Sequence, residues 1–125
     1  MPMEMRRLVF RDAEVKDAID TLLRAEGQRL EAEAERGGYS RAGLPDPEDV
    51  VQSFSVTHDD PLELTAIIVS PGGRTTSRLF PASELMFVLI GYCRLQRIPV
   101  ARTANKSVRR AAGGGIALDL VLRNW

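Results

Sequence analysis

One cysteine, one histidine and one tryptophan stand in a chain of 125 residues. Cys93 alone closes no disulfide within the chain and supplies no thiolate set for zinc, so it reads as a small buried hydrophobe. Aromatic residues make up only 6% of the sequence, and none falls between Tyr92 and Trp125, so the basic segment there has no platform on which bases can stack. No serine sits in a Gly-x-Ser-x-Gly context, and no Gly-rich loop ends in Lys-Ser or Lys-Thr, which removes the commonest nucleophile elbow and phosphate cradle. The longest apolar run, 85–93, breaks at Arg94 after nine residues, whereas a bilayer-crossing helix needs about 20. The amino-terminal residues offer no long apolar run and no small-residue cleavage site. The expectation is a cytoplasmic protein with no membrane role and no cofactor.

What is present is an ordinary globular composition, with 44% apolar and 27% charged residues. A chain of this size fits one domain, expected over 1–125, with a core that needs no disulfide.

Apolar periodicity divides the chain further. Residues 6–10 read as a strand, and Val15, Ala18, Ile19, Leu22 and Leu23 then recur with helical spacing. Asp12 is placed to cap that helix. Helix-forming composition continues through 28–36, although the apolar stripe fades after Leu30, and Gly37 with Gly38 ends it. Residues 37–49 form a turn-rich connection. Three strands are expected at 50–56, 62–69 and 75–80, joined by the turn sequences Thr-His-Asp-Asp-Pro and Ser-Pro-Gly-Gly. A second helix starts near Ser83 and is closed by Pro99. The last strand covers 115–122, with 106–110 as its hairpin partner across a glycine turn.

The two helical stripes are related by an offset: 15, 18, 19, 22 and 23 become 85, 88, 89, 92 and 93 on adding 70, and a Phe precedes each (Phe10, Phe80). Either an internal duplication or the shared 3.6-residue period accounts for this. In both cases the expected fold is α+β: a two-layer sandwich of a mainly antiparallel sheet with two helices on one face, in the order β-α-β-β-β-α-(β)-β.

Three functional readings follow from the residues. On the second helix Met86, Phe87 and Ile90 make the would-be solvent face apolar, which predicts a homo-oligomer assembled through them. Charge is also divided: residues 1–63 hold 8 Lys or Arg against 15 Asp or Glu, and residues 64–125 hold 9 against 2. Arg94, Arg97, Arg102, Lys106, Arg109 and Arg110 are the densest basic group, suited to an acidic protein partner or to Glu31, Glu33 and Glu35 of the first helix. Nucleic acid bound through 94–110 is the alternative, with zero net charge and missing aromatics against it. The remaining reading is a small enzyme or metal site at His58, Asp59, Asp60 and Glu63, set against the fact that Thr-His-Asp-Asp-Pro is also what a β-turn prefers. The favoured function is a non-catalytic protein acting through self-association or protein contact.

Overall fold

The computed structural model describes residues 3–37 and 46–123. The strand order along the chain is as expected, with β1 (Met3–Phe10), α1 (Asp12–Gly37), β2 (Val50–Asp59), β3 (Leu62–Val69), β4 (Thr75–Pro81), α2 (Ala82–Leu95), β5 (Asn105–Arg110) and β6 (Ile116–Arg123). All pairings are antiparallel, and the architecture is a two-layer α/β sandwich. The strands form two three-stranded sheets, β1-β6-β5 and β2-β3-β4, where the sequence suggested one.

Each sheet has the same plan. A hairpin supplies one edge and the central strand, and the other edge strand leads directly into a helix: β1 into α1, β4 into α2. The offset of 70 holds in burial as well. Phe10 and Phe80 are both buried, as are Val15, Ala18, Ile19 and Leu23 on α1 and Leu85, Val88, Leu89 and Cys93 on α2. Leu22 and its counterpart Tyr92 are half-buried, at the edge of each stripe. The strands complete the core through alternation: Leu62, Leu64, Ala66 and Ile68 point inward from β3, and Ile116, Leu118 and Leu120 from β6.

Local chemistry sets the element ends. Arg11, and not Asp12, caps α1: its carbonyl accepts from Glu14 and Val15, while its own amide donates to the Glu14 carboxylate at 3.0 Å. Asp12 is already inside the first turn, where its charge still favours the helix dipole. Pro81 occupies the cap position of α2, where a missing amide proton costs least. At its far end α2 closes with a Schellman arrangement, in which Ile98 donates to the Cys93 carbonyl at 2.8 Å and Arg97 to Arg94 at 3.2 Å. Arg97 takes the left-handed position with φ 57°.

Two details depart from the expected turns. β2 runs on to Asp59, so His58 and Asp59 belong to a strand and only Asp60-Pro61 makes the turn. Register shifts between Val51 and Ser53 and between Val56 and His58 let β2 bend as it passes the core. Of the expected connection 37–49, residues 38–45 lie outside the described residues. Asp46–Asp49 is described, and crosses α1 so closely that a Cβ on Gly27 would stand 2.3 Å from the Pro47 nitrogen.

Helices α1 and α2 run antiparallel, because Glu26 and Glu84 share Arg78 while Tyr92 packs its ring edge against Phe10, just before α1. The Arg78 guanidinium binds Glu26 at 2.8 Å and Glu84 at 2.6 Å, with the Phe80 ring beneath it at 4.9 Å. One side chain on β4 thereby ties both helices to the second sheet.

Candidate functional site

The self-association residues separate in space. Met86 and Ile90 are half-buried and pack against the core, so the fold itself supplies much of their cover. Phe87 does not share this: it is 68% exposed, and Leu95, two turns further on, is 64% exposed. Between α1 and α2 beside them lies a groove of about 200 Å³. It is lined by the small residues Ala18, Thr21, Ala25 and Gly91, by Leu22, Val88 and Tyr92, and by the exposed Phe87 and Leu95. Burial, followed by the nearby Glu14 and Asp17 carboxylates, pushes the Tyr92 phenol above its ordinary range.

A hollow of about 670 Å³ opens between the free side of β5 and the β2–β3 turn. Asp59, Asp60, Leu62, Ala82 and Met86 line it together with Lys106, Val108, Arg109 and Arg110 of β5. The acidic turn and half of the basic segment, separate in sequence, thus line one hollow. Arg110 Nε comes within 3.5 Å of Asp59 Oδ1. His58 does not line the hollow: it is exposed on β2, its Nδ1 held 2.8 Å from the Pro61 carbonyl, with Glu63 opposite in register. That contact assigns the proton to Nδ1 in the neutral ring and leaves no carboxylate orienting the imidazole through it. Among the described residues, no three His, Cys, Asp or Glu groups are arranged to hold a metal ion.

The basic group divides as well. Lys106 donates to the carbonyls of Arg102 and Ala104, at 3.0 and 2.9 Å, and so closes its own loop. Arg109 reaches Asp119. Arg94, Arg97 and Arg102 are exposed and do not line the hollow. The side-chain contacts of Lys106 and Arg109 therefore run to carbonyls and to Asp119, not to Glu31, Glu33 or Glu35.

Asp119 is the residue that the sequence reading missed. Its side chain is 3% exposed on the outer face of the first sheet, where β1 and β5 flank it. Arg7 grips it with Nε at 2.7 Å and Nη2 at 3.1 Å, and Arg109 Nε adds a contact at 3.2 Å. The hydrogen bond from Arg7 outweighs desolvation and holds the Asp119 carboxyl below the usual carboxylate range, with the charges of Arg7 and Arg109 reinforcing it. A single carboxylate in the apolar strand 116–122 was the available signal. Its partners could not be seen because they sit 112 and 10 positions away.

No described helix is long and apolar enough to cross a membrane. Comparison with protein-family models, with curated proteins and with solved structures finds no match.

Proposed function

We propose that this protein is a non-catalytic domain that acts through protein contact, and that its first partner is a second copy of itself seated in the α1–α2 groove. The observation that carries this is Phe87, two-thirds exposed at an apolar groove that small residues help to line. Knob and hole lie on the same face. A two-fold axis then lets each Phe87 fill the other copy's groove, which is the self-complementarity an isologous interface requires. Asp17, Arg24 and Arg94 are exposed beside the groove residues and carry both signs, so like charge does not hold two copies apart.

Covering a large apolar side chain contributes about 1.5–3 kcal/mol, and a symmetric interface counts each one twice. Phe87→Asp should accordingly weaken the dimer by at least about 100-fold. Gly91→Gln fills the groove from the other side, with nothing within 4 Å of the new Cβ to disturb the fold. Sedimentation velocity across micromolar concentrations tests both. A dimer in the wild type and monomers in the two folded variants are expected; a wild type that stays monomeric, or a dimer that both variants leave intact, contradicts the reading.

A further inference from the structure

We propose that a second hollow, on the opposite kind of surface, binds the phosphate group of a small phosphate monoester through Arg7, Arg11 and Arg109. It lies at the turn end of the first sheet, measures about 560 Å³, and is walled by Val9 and the 111–114 turn. It shares no residue with the α1–α2 groove.

The three arginines come from three parts of the chain: the middle of β1, the residue between β1 and α1, and the end of β5. Two of them are held in place before any ligand arrives. Buried Asp119 takes the Nε and Nη2 side of Arg7 and the Nε of Arg109. A guanidinium has five donors in a fixed fork, so Nη1 of Arg7 and both terminal nitrogens of Arg109 stay available, in orientations set by Asp119. No carboxylate among the described residues pairs with the Arg11 side chain, whose backbone alone is used, for the start of α1. Arg110, next to Arg109 on β5, alternates to the other side of the strand, where Asp59 stands at 3.5 Å.

Charge then selects the ligand. Three cations stand against one buried carboxylate, an excess of two. A phosphate monoester carries about −1.5 to −2 at neutral pH and three acceptor oxygens, which matches that excess; a carboxylate or a phosphodiester brings one charge. No aromatic side chain lines the hollow, so a nucleic-acid strand finds the charge but nothing on which to stack a base. The openness of the site and the exposed ends of its arginines point to a weak complex.

The test is an NMR titration of the arginine Nε–H signals with three probes at low salt: inorganic phosphate, O-phosphoserine, and a single-stranded oligonucleotide of about 20 nucleotides. Saturable shifts with inorganic phosphate and O-phosphoserine are expected. Arg11→Ala, which leaves the Asp119 contacts untouched, should weaken both by about tenfold, and Arg11→Lys should restore part of the loss. The proposal is overturned if neither small probe gives a saturable shift, if only inorganic phosphate does, if Arg11→Ala and Arg109→Ala bind as the wild type does, or if the oligonucleotide binds while the small probes do not.

Discussion

At the scale of single residues, the chain places two charged groups where a simpler residue would be cheaper. Asp119 is one: buried, yet satisfied by two arginines. Its folded pKa lies below the ordinary value of 3.8, so its contribution to stability is complete above that value and is lost as pH falls through the folded one. Asp119→Asn should therefore lower stability at pH 7 by about 1 kcal/mol, a charged hydrogen bond discounted for exposed cationic partners. Urea unfolding should show the wild type and the variant converging in acid. Arg97 is the other. A side chain in the left-handed region costs about 1–2 kcal/mol, and glycine avoids that at some cost in chain entropy. Arg97→Gly should raise stability by about 0.5–1 kcal/mol in thermal or urea unfolding. A loss of stability would show that the arginine side chain has a partner worth more than the strain.

At the scale of elements, the helices and strands were largely legible because each buries one side and records that in its period. Val15, Ile19, Leu85 and Leu89 were placed in the core by spacing alone, and are there. What spacing does not encode is pairing. Alternation in β3 and β6 fixes which side chains turn inward, but not that the strands divide into two sheets. The same gap hid the arginine hollow, since charges counted along the chain set residues 94–110 together, while sheet pairing brings Arg7 and Arg109 to Asp119. Phe87 was legible as part of an apolar face; that Met86 and Ile90 beside it pack against the core was not. Two helical glycines separate these levels. In both, alanine should favour the helix by about 1 kcal/mol. Gly91 has open space around it, so Gly91→Ala should stabilise by about that amount. A Cβ added at Gly27 would run into the Pro47 backbone, so Gly27→Ala should instead destabilise, by more than about 2 kcal/mol. Thermal unfolding of the pair reads the difference directly.

At the scale of the whole molecule, two similar β-to-α units face each other across one core, and their helices lie side by side with a groove between them. Among the described large apolar side chains left in solvent, Phe87 and Leu95 lie on the helical layer and are the most exposed. A second copy is the cover we propose for them. Isotope-filtered NOE spectroscopy on a mixture of labelled and unlabelled chains looks at that contact itself. The account predicts intermolecular NOEs from the Phe87 ring to Gly91 and to the Ala25 methyl; no intermolecular NOE at a concentration of about 1 mM, far above the micromolar range expected for such an interface, contradicts it.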